Sequence, residues 1–106
     1  MSATQYQLVL QFRGDSMPEI DALVELEDQV VEVLGDAADV DGHDIGRDEA
    51  NIFVMTRDPE AAFRKALPVL RSQSSFSGLI AAFRTIDGEA YSVVWPSSFK
   101  GAFSVQ

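Results

Sequence analysis

Two hydrophobic periodicities alternate along the chain, and their order constrains the fold more than any other sequence feature. Residues 5–12 alternate between polar and apolar side chains, with the apolar ones mainly at even positions, which indicates a half-buried β-strand. From Ile20 to about Leu34 the apolar residues recur with a helical period, and Gly35 follows where a helix stop is expected. Further segments of both kinds complete a predicted order of β-α-β-β-α-β-β.

Both predicted helices begin at residues that suit a helix N-terminus. Ser16 and Glu19 match a capping box, in which each side chain satisfies a free main-chain N–H group of the first turn. The segment 58–60 places an aspartate cap, a proline at the first helical position and an acid in the first turn. Pro68 lies within the second helix, and we expect it to bend or interrupt the last turn.

The other strands are predicted from short apolar runs. They cover residues 37–45, 50–56, 79–86 and 89–95, and the last two flank Asp87-Gly88, a typical two-residue hairpin turn. A split pair of βαβ units in this order predicts an α+β fold of the ferredoxin-like kind. Its antiparallel sheet would carry both helices on one face and would be extended by an added C-terminal hairpin strand.

The length of 106 residues predicts one domain. Its core would span residues 5–95, and the tail 96–106 would use Phe99 and Phe103 to cover the end of the core or a sheet edge. Strands 50–56, 79–86 and 89–95 carry apolar residues on both faces, whereas one layer of helices covers only one face. We therefore expect a homodimer in which a second subunit partly covers the other face.

Negative charge is concentrated in one part of the sequence. Between Asp15 and Glu49 there are 13 acidic residues and one basic residue, Arg47, so this segment carries a net charge of −12 within a chain of net charge −9. Such a field repels phosphates and anionic membranes and attracts cationic partners. The charge therefore argues against nucleic-acid binding and against a membrane partner, and it favours a basic protein partner.

The acids most suited to contact such a partner fall into two groups. One group forms a stripe on the polar side of the first helix, and the other lies in the predicted second strand. The stripe contains like charges at i,i+3 and i,i+4 spacing with no lysine between them, and this repulsion leaves room for a partner. The predicted partner-binding residues are Asp21, Glu25, Asp28, Glu32, Asp39, Asp41 and Asp44.

Two further titratable residues stand out by their positions. Glu27 falls near the centre of the apolar arc of the first helix, so its carboxylate must reach a donor or escape from that arc. We expect it to reach an edge of the helix or a main-chain N–H group, and the alternative is a buried acid aimed at a pocket or held by a specific partner such as Arg13 or Arg84. His43 is the single histidine and stands between Asp41 and Asp44. A solvated or hydrogen-bonded histidine is expected there, and a general base or pH sensor is the alternative.

Motifs for catalysis, metals and cofactors are missing from the sequence. There is no cysteine, which excludes disulfides and thiolate metal sites, and no Gly-rich phosphate loop or Gly-x-Ser-x-Gly sequence. The acids around Gly42 do not have the spacing of an EF-hand calcium loop. We therefore predict no catalytic residue, no metal site and no cofactor. No signal peptide or apolar run of membrane-spanning length is visible, and we expect a cytoplasmic protein.

One sequence pattern resembles a known family. Asp41-Gly-His-Asp-Ile-Gly46, followed by Asn51-Ile-Phe53 and Asp58-Pro59, is similar to a pattern in small bacterial ferredoxin-like proteins of the immunity-protein-like kind. The resemblance covers about residues 5–95 and implies the ferredoxin-like fold. It implies no catalytic residue.

These observations favour a non-enzymatic protein-binding module, with an immunity-like or inhibitor protein as one concrete form. The alternative is an enzyme or small-molecule binding protein of the dimeric α+β-barrel type, because a ferredoxin-like sheet can enclose a cavity. That alternative requires polar side chains that converge on the cavity. The available contributors are His43, Tyr6, Tyr91 and Arg84.

Overall fold

The computed structural model describes residues 4–14 and 17–105, which form an open five-stranded antiparallel sheet and two helices. The predicted α+β class is confirmed. Short 3₁₀ turns, Gly35–Ala37 and Ser74–Gly78, come after the two helices. The strands are β1 (Tyr6–Arg13), β2 (Asp39–Ile45), β3 (Glu49–Thr56), β4 (Leu79–Thr85) and β5 (Ser92–Trp95), and the helices are α1 (Ile20–Leu34) and α2 (Pro59–Arg71).

Strand β1 lies at the centre of the sheet, whose order is β2-β3-β1-β4-β5. All eight residues of β1 pair with β3, and seven of them also pair with β4. A central strand has neighbours on both sides, so its main-chain groups are hydrogen-bonded and its middle is buried on both faces. Strands β2 and β5 are the edges.

Helices α1 and α2 pack against one face of the sheet, which we call the helix face. The even-numbered residues of β1, from Leu8 to Phe12, belong to the same buried apolar cluster as residues of both helices. A β-strand alternates its side chains between faces, so the odd-numbered residues of β1 lie on the opposite side, the far face. The helical members of the cluster are Leu23, Leu26, Val30, Leu34, Ala62, Phe63, Ala66 and Leu70.

The helix ends agree in part with the sequence prediction. Asp58 caps α2, since its Oδ1 atom accepts a hydrogen bond of 3.1 Å from the N–H group of Ala61. Gly35 ends α1 with a φ of 53°, a conformation that favours glycine. The predicted capping box is wrong for Glu19, which occupies the cap position without a side-chain bond, and Ser16 lies outside the described residues. Helix α2 continues through Pro68 rather than being interrupted there.

The connection between β4 and β5 differs from the predicted two-residue hairpin. The N–H group of Gly88 donates to the carbonyl of Thr85 at 3.0 Å, so Ile86 and Asp87 are the central turn residues and Gly88 follows them. Glycine is favoured at this last position of a type I turn as well as in the hairpin turn that we predicted, and for that reason the dipeptide alone was ambiguous. Strand β5 begins only at Ser92.

The chain after β5 returns to the far face of the sheet. Phe99 donates its N–H to the carbonyl of Pro96, which turns the chain, and the carbonyl of Ser104 accepts a hydrogen bond from the side chain of Gln11. Val9 and Ala82, on the same face, are fully buried. Part of the far face is thus covered within one chain, and the homodimer expected from its apolar residues stays a prediction.

The α2 cap provides a test of this local structure. Asp58→Ala removes the acceptor for the Ala61 N–H group, and we expect it to lower the free energy of unfolding by about 1 kcal/mol in urea denaturation. Asp58→Asn keeps an acceptor oxygen and is the matched control, with a change within about 0.5 kcal/mol. Equal effects of the two substitutions would show that the hydrogen bond does not stabilise the helix.

Candidate functional site

The acidic stripe of α1 (Asp21, Glu25, Asp28 and Glu32) lies on the solvent side of the helix. All four residues are exposed, whereas the residues that α1 buries against the sheet lie on its opposite side. The last turn of α1 contains no basic residue. Among the described residues, no salt bridge involves any of these four carboxylates. Their charge therefore faces solvent without a cationic neighbour in an ion pair.

Beside this stripe, α1 also exposes apolar side chains, which we call the apolar strip (Ile20, Val24 and Val31). Their exposed fractions are 59%, 39% and 50%. The sequence placed these residues with the buried ones because the apolar side chains of α1 span half of the helix. A sheet covers a narrower arc of roughly 100°, and these three residues lie outside it. At 100° per residue they fall within about 40° of one another, which makes the strip continuous along the helix.

Glu27 and His43 join α1 to the edge strand β2. His43 Nδ1 lies 3.2 Å from both Oε1 and Oε2 of Glu27, and the exposed side-chain fractions are 31% and 16% respectively. His43 pairs with Ile52 across the sheet, so it points to the helix face and meets α1. Glu27 is thus partly buried and paired with a side chain rather than with a main-chain N–H group. That side chain is His43 rather than Arg13 or Arg84.

The acids of β2 do not join the stripe of α1. Asp39 pairs with Met55 and Asp44 pairs with Asn51, and residues paired in this way point to the same side of a sheet. Asn51 lies on the far face, so Asp39 and Asp44 point away from the helices. Asp41 sits at the irregularity in the register between Val40 and Gly42. The seven predicted partner-binding acids therefore do not form one surface, because the sheet separates the α1 stripe from Asp39 and Asp44.

A group of polar residues on the far face was not predicted as a site. We call it the far-face cluster (Gln11, Arg13, Glu49 and Asn51). Gln11 Nε2 lies 3.0 Å from Glu49 Oε2 and 2.9 Å from Asn51 Oδ1, while Asn51 Nδ2 donates to Glu49 Oε2 at 2.8 Å. Arg13 Nε donates to Gln11 Oε1. Gln11, Glu49 and Asn51 are all at least 95% buried.

The sequence signal for this cluster was present but was interpreted differently. Gln5, Gln7 and Gln11 alternate with the apolar residues of β1, which is typical of a strand with one solvated face. Gln11 is instead buried, because residues from the end of the chain return to this face. Long-range packing of that kind has no local sequence pattern.

The residues proposed for an enzyme site are dispersed. His43 contacts Glu27, whereas Arg84 Nη1 donates to the carbonyls of the β4–β5 turn, including that of Ile86 at 2.8 Å. The ring of Tyr6 packs edge-on against Phe83. Clefts of about 350 and 420 Å³ lie at the start of α1 and beside the 3₁₀ turn that follows it, and neither is lined by these residues. The geometry does not assemble an active site from them.

Across residues 4–14 and 17–105, no three histidine or carboxylate side chains are grouped so that they could hold a metal ion. Neither helix in this part of the structure has the length and apolar character needed to cross a bilayer. No protein-family model, curated protein or solved structure matches the chain.

Glu27 allows a test of its partly buried position. We expect Glu27→Leu to raise the free energy of unfolding by about 1 kcal/mol, because the leucine buries apolar surface and half-exposed His43 can be hydrated when it loses its partner. Glu25→Leu removes the same charge from an exposed position of the same helix and should change stability by less than about 0.5 kcal/mol. Urea denaturation measures the stability of both variants. If Glu27→Leu were the more destabilising of the two, the Glu27 carboxylate would stabilise the fold at this position, contrary to our expectation.

Proposed function

We propose that this protein is a non-enzymatic binding module that docks a cationic protein through α1 and the adjoining edge of β2. The observation that carries the proposal is the exposed apolar strip lying directly beside the acidic stripe on one helix. Ile45 of β2, which is also exposed, points to the helix face as His43 does and extends the apolar area. A surface that combines exposed apolar residues with a charged border is typical of a protein interaction site.

The two components of this surface have different physical roles. Burial of the apolar strip supplies affinity, since each square ångström of apolar surface removed from water contributes roughly 25 cal/mol to the binding free energy. The acidic stripe raises the association rate of a basic partner and makes binding sensitive to salt. The occupant is therefore expected to present apolar side chains bordered by lysine or arginine.

The same charge disfavours a second copy of this chain as the occupant. Two copies joined through α1 by a twofold axis would bring one acidic stripe close to the other, and like charges repel in such an interface. The homodimer predicted from the sequence would have to use the far face instead.

We further propose that the fold is ferredoxin-like. The order β2-β3-β1-β4 with antiparallel neighbours is the order that two interleaved βαβ units generate, and β5 adds an edge strand. The resemblance of segment 41–59 to small bacterial ferredoxin-like proteins agrees with this proposal. An immunity-like role in the cytoplasm, with neutralisation of a basic toxin, is the biological form that this chemistry suits.

Reversal of the stripe charge tests the electrostatic part of the proposal. We expect the double variant Glu25→Lys with Asp28→Lys to lose at least 90% of the host protein that wild type captures from a lysate at low ionic strength, an estimate that follows from loss of charge complementarity. Its stability should be equal or higher, because repulsion along α1 is relieved. Quantitative mass spectrometry and thermal unfolding measure the two effects.

The matched control reverses two exposed acids outside the surface. Glu60→Lys with Glu89→Lys changes the net charge by the same amount, and capture should persist. Equal loss in both double variants would mean that net charge, rather than the α1 surface, determines capture. Retention in both would make the stripe a solvated face of the helix.

The apolar strip is tested separately. Val24→Gln with Val31→Gln keeps every charge but removes apolar area, and we expect about a tenfold loss of affinity for the captured protein in calorimetry. Val33→Gln, on the side of α1 away from the strip, also replaces an exposed valine and is the control. If the double substitution leaves affinity unchanged, the strip does not form part of the interface.

A further inference from the structure

The far face of the sheet holds a segment of peptide. Gln11 Nε2 donates to the carbonyl of Ser104 at 3.0 Å, and the ring of Phe103 packs against Tyr91 with centroids 4.9 Å apart. The guanidinium of Arg13 lies 5.7 Å from the centre of the same ring, a distance typical of a cation–π contact. The face thus supplies an amide donor for a main-chain carbonyl. It also supplies a guanidinium group and an aromatic ring that contact one phenylalanine ring.

The hydrogen bond from Gln11 to the Ser104 carbonyl is not required to satisfy the Gln11 amide. Its amide nitrogen has two hydrogens, yet three acceptors lie within 3.0 Å: Glu49 Oε2, Asn51 Oδ1 and the Ser104 carbonyl. If residue 104 leaves, both hydrogens still have acceptors within the far-face cluster. Departure of the segment therefore leaves no unsatisfied donor on Gln11, and such a donor would otherwise be costly.

The segment itself is held by few interactions. Within the described part of the chain, no main-chain hydrogen bond joins residues 100–105 to a strand of the sheet. Ser104 is exposed and Phe103 is only half-buried. Segments with little buried area and no main-chain pairing open with a small free-energy cost.

We propose that the far face is a binding site for an extended peptide segment with an aromatic side chain, and that Phe103 and Ser104 occupy this site within their own chain. The chemistry of the ligand follows from that of the present occupant. The ligand presents an aromatic ring to Tyr91 and Arg13, and the carbonyl of its next residue accepts a hydrogen bond from Gln11. A partner peptide of this kind binds by displacing the segment. The site lies on the side of the sheet opposite α1 and is independent of the acidic surface.

The proposal accounts for buried polar residues at a position where apolar ones are often at least as stable. Gln11, Glu49 and Asn51 are buried beside Val9, Ile80 and other apolar residues of this face. A buried polar network is often no more stabilising than hydrophobic residues of equal volume. Preformed donors and acceptors are, in contrast, what a site needs to recognise the main chain of a peptide.

The experiment uses a fluorescently labelled synthetic peptide with the sequence of residues 99–105 and measures its anisotropy with the full-length protein. The segment within the chain competes at a high effective concentration, so wild type should bind the peptide weakly. We expect Phe103→Ala in the protein to bind it at least about tenfold more tightly, because the competing ring is gone. A peptide in which the same phenylalanine is replaced by alanine should bind neither protein.

Phe99→Ala removes the same type of side chain from the turn before Phe103 and Ser104, where the Phe99 N–H donates to the carbonyl of Pro96, and it is the matched control. We expect this variant to bind the peptide with wild-type affinity. Circular dichroism checks the fold of each variant. If Phe103→Ala does not fold, Phe103→Leu keeps apolar volume and takes its place.

Equal peptide affinity for the Phe103 variant and wild type, or no binding to a folded variant at millimolar peptide, would overturn the proposal. A wild-type dimer that Phe103→Ala abolishes would assign the site to residues 99–105 of a second copy and would overturn it as well.

Discussion

The pairing of β1 with both β3 and β4 is the interaction on which the rest of the structure depends. It places residues 8–12 at the centre of the sheet, where every side chain is buried on one face or the other. The helix face is closed by α1 and α2 through apolar contacts, each buried methylene contributing roughly 0.8 kcal/mol. The far face is closed differently, through a hydrogen-bonded polar cluster and the returning end of the chain. The two faces therefore have different physical properties.

This difference separates two candidate binding surfaces. On the helix side, α1 carries more apolar surface than the sheet can cover, and the excess is exposed next to four acids. On the far side, the polar cluster supplies a directed donor for a main-chain carbonyl and a cation for an aromatic ring. Non-directional apolar burial with long-range charge suits a folded basic partner, whereas directed hydrogen bonds suit an extended peptide. A five-stranded sheet lies between the two surfaces.

Much of the fold was predictable because its signals are local. The alternation in residues 5–12, the Asp58 cap and the positive φ of Gly35 each depend on neighbours within a few residues. The predictions that failed, such as the capping box at Glu19 and the hairpin turn at Asp87-Gly88, used local patterns that fit more than one geometry. The choice between those geometries depends on how the flanking elements pack.

The same division between local signals and tertiary packing applies to the site residues. The sequence by itself determined the charge of the chain, the exposure of the acidic stripe and the conflict between the Glu27 carboxylate and the apolar arc around it, which a partner can relieve, since these follow from composition and helical period. Only the tertiary structure decided that the partner is His43, that Asp39 and Asp44 point away from α1, and that Gln11 is buried. Each of these depends on strand register or on a contact between residues far apart in the chain. Register moves a side chain from one face to the other with a shift of one residue, and no local pattern specifies it.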